Sequence, residues 1–183
     1  MNMKFFLFLL ITFINLGCSH SLLDSKAEYK TPVQEGYERY FNKNKNSLDP
    51  IEGIWMEYAV GILYGEDRKV IKRELNPKRA SWIVIKKDNE FKVLDINGKQ
   101  TFFNATFAPT NKNRVYQFKC LIYDTKDQLL SLAELVEPDR LEMAYNAPKG
   151  LFNNIYNSKV SDNEKDLDLY WEIQWLRSYP SKY

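Results

Sequence analysis

The chain has 183 residues, with 26 basic against 24 acidic side chains and a formal net charge of +2. Its lysines and arginines are scattered, as in Asn42-Lys43-Asn44-Lys45-Asn46 and Lys86-Lys87, without a stripe that tracks phosphates, so nucleic acid is not an expected partner. The single histidine, His20, lies upstream of the expected folded body, which excludes from that body a Ser-His-Asp triad, a Cys-His pair and a multi-histidine metal site.

Taken in chain order, the first expected element is a secretory signal over residues 1–17. Lys4 supplies the positive start, residues 5–14 form a nearly unbroken apolar run, and Gly17 closes it with a small residue. The run falls short of the roughly 20 apolar residues that span a bilayer. Leu16-Gly17-Cys18 then resembles the lipobox of bacterial lipoproteins, with Asn15 standing where that family prefers Leu. The resemblance implies that Cys18 is diacylated, that the signal is cut before it, and that the new amino end is acylated. Several acyl chains make a stable anchor where one alone holds only reversibly. Ser19 follows the cysteine, with no Asp to resemble an inner-membrane retention signal, so the outer membrane facing the periplasm is the expected home. The alternative is an ordinary cut near Gly17 or Ser19, which yields a soluble secreted or periplasmic protein.

Residues 18–47 read as a lipidated tether that includes a short helix. The stretch 19–32 is polar and aperiodic. Val33, Tyr37, Tyr40 and Phe41 then recur at helical spacing, although Gly36 weakens the pattern. Beyond the rigid Leu48-Asp49-Pro50, residues 48–183 form the expected folded domain. Short aromatic and β-branched runs at 53–64, 70–75, 81–86, 90–95, 100–107, 114–123, 128–137 and 140–145 alternate with turn residues, and Asn97-Gly98 is the strongest hairpin signal. A long Asn-rich break at 146–165 precedes the last strand, where Leu167, Leu169, Trp171, Ile173 and Trp175 share one face. The expected fold is all-β, an antiparallel up-and-down meander of about 8–10 strands closing into a barrel or folding as a sandwich.

Within Asp49-Pro50-Ile51-Glu52-Gly53-Ile54-Trp55, the Gly53-Ile54-Trp55 step resembles the Gly-x-Trp element that opens the first strand of lipocalins and related calycin barrels. The longer phrase resembles the start of a small lipocalin-like domain of bacterial exported proteins. The resemblance implies that Trp55 plugs one barrel end and that a basic residue of the last strand packs over its ring. Arg177 shares the parity of Trp171, Ile173 and Trp175 and is the expected partner, with Gly53 allowing close backbone approach.

Aromatic residues make up 15% of the chain, and Tyr58, Trp82, Phe102, Trp171 and Trp175 are the expected ligand-lining set, with Trp55 at the barrel end. Large aromatics consume lumen volume, so a filled interior is expected ahead of a hollow one. Cys120, in Phe118-Lys119-Cys120-Leu121-Ile122, reads as an inert buried thiol. Glu134, Glu137, Asp139 and Glu142 gather around Pro138 and read as a solvated hairpin end before a catalytic pair. The expected function is therefore non-catalytic, without cofactor or metal. The protein is read as a lipid-anchored envelope barrel that binds a small apolar ligand or a partner protein. A filled structural barrel is the alternative, with a carboxylate-based enzyme behind both.

Overall fold

A computed structural model describes residues 30–147 and 167–181 of the chain. The signal, Cys18 and His20, and nearly all of the 146–165 break lie outside the described residues. Within the compact unit Thr31–Tyr183, one helix α1 (Pro32–Lys43) precedes eight strands, β1 (Gly53–Tyr64), β2 (Val70–Lys87), β3 (Glu90–Asp95), β4 (Phe103–Pro109), β5 (Val115–Ile122), β6 (Gln128–Glu137), β7 (Arg140–Asn146) and β8 (Asp168–Tyr179). They pair antiparallel in sequence order, and β8 returns to β1 to close the barrel. Closure removes both free sheet edges and gives each strand an inner and an outer face, which is why period-2 patterning dominates the sequence.

The helix begins where its chemistry allows. Thr31 accepts the Gln34 backbone N–H at 3.1 Å, Pro32 occupies the first turn where its missing donor costs nothing, and Lys43 sits at the negative end. Phe41 is fully buried against Ile54 and Ile83 on the outer face of β1 and β2, with Tyr37 half-buried beside them. Val33 and Tyr40 remain partly exposed. Because α1 shares this outer core, it belongs with the barrel rather than with the tether expected over 18–47. Gly98 (φ 74°) in the β3–β4 connection has Tyr37 and Val33 each 3.2 Å from where a Cβ would sit, so that loop is pressed against the helix.

Two expected strands, 70–75 and 81–86, form the single 18-residue β2. The interruption that separates them in sequence is a bulge. Glu57 pairs with Ala80, but Ala59 pairs with Asn76, so residues 77–79 are extruded opposite Tyr58. Pro77 cannot donate to a ladder and Lys78 adopts a positive φ of 51°, both of which favour such a break. A second difference lies at Asn97-Gly98. Instead of a two-residue hairpin, the Asp95 carboxylate accepts the backbone N–H groups of Asn97 and Lys99 at 2.8 and 2.9 Å, and β4 starts only at Phe103. β3 and β4 consequently pair over just Phe91–Phe107, Lys92–Thr106 and Val93–Ala105. Beyond that point the Gln100 side-chain amide donates to the Val93 and Ala105 carbonyls at 2.8 and 3.0 Å, holding the diverging strands together.

The main core runs through the barrel interior. β8 buries Leu169, Trp171, Ile173 and Trp175 in strict alternation. On β1 the inward set is Trp55, Glu57, Ala59, Gly61 and Leu63, while Met56, Tyr58 and Val60 face outward. Register decides this parity, and it brings a carboxylate into the core.

Candidate functional site

The two halves of the lumen differ. In the half reached by the start of β1, Trp55 is fully buried and its indole N–H donates to the Ile51 carbonyl at 2.9 Å. Arg177 lies opposite Trp55 in the β1–β8 register, with its guanidinium carbon 4.3 Å from the indole centroid. The same guanidinium donates to the Glu52 and Pro50 carbonyls and, at 3.2 Å, to that of Pro138. Burial lowers its pKa to about 10, opposed by the charges of Asp139 and Tyr116, which leaves it a cation at neutral pH. Gly53 has φ 150°, and a Cβ there would stand 2.5 Å from the Tyr179 carbonyl oxygen and 2.9 Å from the Arg177 guanidinium. Glu52, only 3% exposed, accepts the backbone N–H of Asp49 and of Lys86, each at 2.9 Å. Asp49 accepts the Tyr116 hydroxyl at 3.0 Å and the Ile51 N–H at 3.2 Å. Burial and the Asp49 charge push the Tyr116 phenol well above its usual range. Every polar member of the Asp49–Trp55 phrase therefore has a structural partner, and Phe91, Phe107 and Leu135 fill the space above them.

The other half contains a cavity of about 220 Å³. Its wall is mostly apolar, from Val93, Ala105, Phe118, Leu129, Met143 and Ile173, with Trp82 and Trp175 at one side. These two indoles are stacked 6.0 Å apart, and both donate to the same carboxylate oxygen, Glu57 Oε2, at 2.6 and 2.9 Å. Glu57 is 5% exposed. Its other oxygen, Oε1, lies 3.2 Å from Arg79 Nε in an ion pair whose alignment falls short of a hydrogen bond. Arg79 reaches inward from the β2 bulge, stacks 4.6 Å over the Trp171 ring, and keeps 31% of its side chain exposed. The Trp171 indole N–H is buried with no acceptor among the described residues. Tyr145 completes the polar corner; burial raises its phenol far above the ordinary value, Arg79 opposing and Glu57 adding to that shift.

The side chains expected to line a ligand site fall into different environments. Trp82 and Trp175 do line the cavity, and Phe102 stands on its rim at 70% exposure. Trp171 is in the interior beneath Arg79, outside the cavity lining. Tyr58 is a correction: it lies on the outer wall, because the neighbouring Glu57 takes the inward parity. Cys120 lines the cavity as a half-buried thiol, raised by burial to about 11, which keeps it protonated and a poor nucleophile. Of the carboxylates around Pro138, Glu137 and Glu142 are paired on the surface, Arg140 standing 3.0 Å from Glu137 and 3.2 Å from Glu142.

Sequence reasoning missed Glu57, Arg79 and Tyr145. Glu57 did carry a signal, being the one charged residue inside the apolar run 53–64. Arg79 carried none, since only the bulge brings it to the lumen.

The chain matches no family model, no curated protein and no solved structure.

Proposed function

We propose that this protein is a non-catalytic, lipid-anchored barrel of the cell envelope that holds one small, largely apolar molecule in its lumen. The carrying observation is the cavity beside Trp82 and Trp175, apolar over most of its wall and furnished with one convergent polar corner, Glu57 with Arg79. That combination is the usual anatomy of a small-molecule site, where apolar wall supplies affinity and a few polar groups fix orientation. A volume of about 220 Å³ exceeds the roughly 150 Å³ of an apolar cavity that accepts benzene. The reading is non-catalytic because the ionisable pair at the cavity, Glu57 and Arg79, is engaged with itself, and the Cys120 thiol is held protonated. The lipid anchor rests on Leu16-Gly17-Cys18, and the resemblance of Gly53-Ile54-Trp55 to calycin barrels agrees with a lumen-binding role.

Two experiments test this reading. Mass spectrometry of the mature protein is expected to find an acylated amino-terminal Cys18, and an unmodified end beginning elsewhere removes the anchor. Denaturing extraction of protein purified from its native membrane is expected to release a stoichiometric small molecule. Its absence, together with a thermal midpoint indifferent to small apolar compounds, removes the ligand.

A second reading is favoured by one observation. Leu75, Leu130 and Leu132 expose 60% or more of their surface on the outside of the barrel, near an outer groove that Tyr58 and Val60 also line. Exposed apolar strips of this kind serve protein contacts. In that reading the barrel is a structural body that presents its outer wall to another envelope protein.

A further inference from the structure

The polar corner of the cavity has a definite charge and a definite hydrogen-bond deficit, and together they select a ligand class. Glu57 and Arg79 are opposite charges 3.2 Å apart, so the corner is neutral as a unit. An ammonium ligand would have to displace Arg79 from Glu57, and a carboxylate would have to displace Glu57 from Arg79. Either leaves one partner charge uncompensated beside an apolar wall, at considerable cost. Pure hydrocarbon has the opposite defect. It offers no donor to Glu57 Oε1, which is buried without an aligned one, and so leaves that oxygen unmet.

We infer that the cavity takes a small neutral molecule of about ten non-hydrogen atoms, apolar except for one hydroxyl seated between Glu57 Oε1 and Arg79. This rests on the ligand-holding reading above and adds the chemistry of the ligand. A hydroxyl is the group that fits, because it donates one hydrogen bond and accepts others. Its proton meets the carboxylate oxygen that has no donor, and its oxygen faces the guanidinium. Glu57 Oε2 is not available for this role, being saturated by Trp82 and Trp175, and those two donors hold the carboxylate in place. The rest of the molecule lies along Val93, Ala105, Phe118 and Leu129, where no polar side chain competes for it. Arg79 and Phe102 are the most exposed lining side chains known from the structure, so the hydroxyl is at the rim side of the cavity and the apolar body is inside.

The test is a set of four probes of one shape on the wild-type chain: para-ethylphenol, ethylbenzene, para-ethylbenzoate and para-ethylbenzylamine. Dissociation constants are measured by calorimetry at pH 7, where the phenol is neutral, with the shift in thermal midpoint as a second readout. The phenol is expected to bind at least about tenfold more tightly than each of the other three. Equal affinity for ethylbenzene would overturn the hydroxyl and leave an apolar cavity. Tightest binding of the benzoate or the amine would overturn it too, by showing that Arg79 or Glu57 acts alone as a charge receptor. If none of the four binds or shifts the midpoint, the ligand-holding reading itself fails. Ala105→Val and Cys120→Phe, each of which adds volume to the cavity wall, are expected to abolish phenol binding. Undiminished binding to whichever variant folds would place the probe elsewhere and overturn the assignment.

Discussion

The closed end of the barrel and its hollow half both pair a buried tryptophan with an arginine, yet they use the pair differently. Arg177 stacks on Trp55 while donating to three backbone carbonyls, from Pro50, Glu52 and Pro138. Those carbonyls belong to the amino-terminal approach to β1 and the β6–β7 turn, so one side chain ties the approach, the turn and β8 together. Arg79 stacks on Trp171 and approaches Glu57, but leaves an oxygen of that carboxylate and the Trp171 indole N–H without hydrogen-bond partners among the described residues. At the closed end each polar side chain of the Asp49–Trp55 phrase has a partner; the other end keeps a cavity beside an unmet carboxylate oxygen and indole N–H. Native interiors rarely leave such groups unmet, and the exceptions concentrate where a ligand or ordered water completes them. In the proposed reading, the conspicuous Gly53–Trp55 motif serves stability and the ligand meets a corner the motif does not mention.

Substitutions at the closed end are expected to act on folding and those at the cavity on binding. The largest effect is expected from Trp55→Ala, which empties the plug and strands the Arg177 contacts. Urea unfolding should show a loss of about 3–5 kcal/mol. A loss under about 1 kcal/mol would mean that the closed end is not the keystone of the fold. Next comes Arg177→Ala, expected to cost about 2 kcal/mol through lost charged hydrogen bonds and stacking. In a double-mutant cycle with Trp55→Ala the two losses should be less than additive, since both remove the same stack; strict additivity breaks the pairing.

Smaller effects sharpen the other side of the comparison. Burial raises Cys120 to about 11 from the ordinary 9.0, so its neutral form is the one the folded state prefers. The resulting stabilisation is present in full below pH 9 and is lost as pH rises through about 11. Accordingly, a water-soluble thiol reagent at pH 8 should react about a hundredfold more slowly with the folded than with the unfolded chain. Equal rates would show an open, hydrated lumen. Smallest of all is Phe102→Ser on the rim, where 70% exposure leaves little to lose. Stability should change by less than about 0.5 kcal/mol, while the rate of probe uptake measured by stopped-flow changes; the reverse pattern would make Phe102 a core residue.

Much of this architecture was legible beforehand, and the reasons are local. The alternation of Leu169, Trp171, Ile173 and Trp175 is a direct imprint of a strand with one buried face. Tyr37 and Phe41 sit one helical turn apart, the spacing that predicts the short helix. Asn97-Gly98 misled because turn preference is a property of two residues, whereas the Asp95 carboxylate and the Gln100 amide organise a longer loop from outside that pair. The bulge at Pro77-Lys78-Arg79 read as a gap between strands for a related reason. A Pro and a positive-φ residue look like a strand end until the partner strand is seen to continue past them.

What the sequence determined by itself was periodicity: an all-β meander, a helix before it, and a last strand with one apolar face. It also marked Trp55 and Arg177 as residues of matching parity on the first and last strands. Which face of β1 turns inward was beyond it, because the run 53–64 is apolar on both sides, one set packing the lumen and the other α1 and the outer wall. Only the register of β1 against β2 and β8 settled that choice, and with it the burial of Glu57 and the exclusion of Tyr58. Closure of the barrel then set Trp82, Trp175 and Arg79 around a single carboxylate, from positions 25, 118 and 22 residues along the chain. Convergence over such distances is a property of three-dimensional packing, and no local pattern of residues carries it.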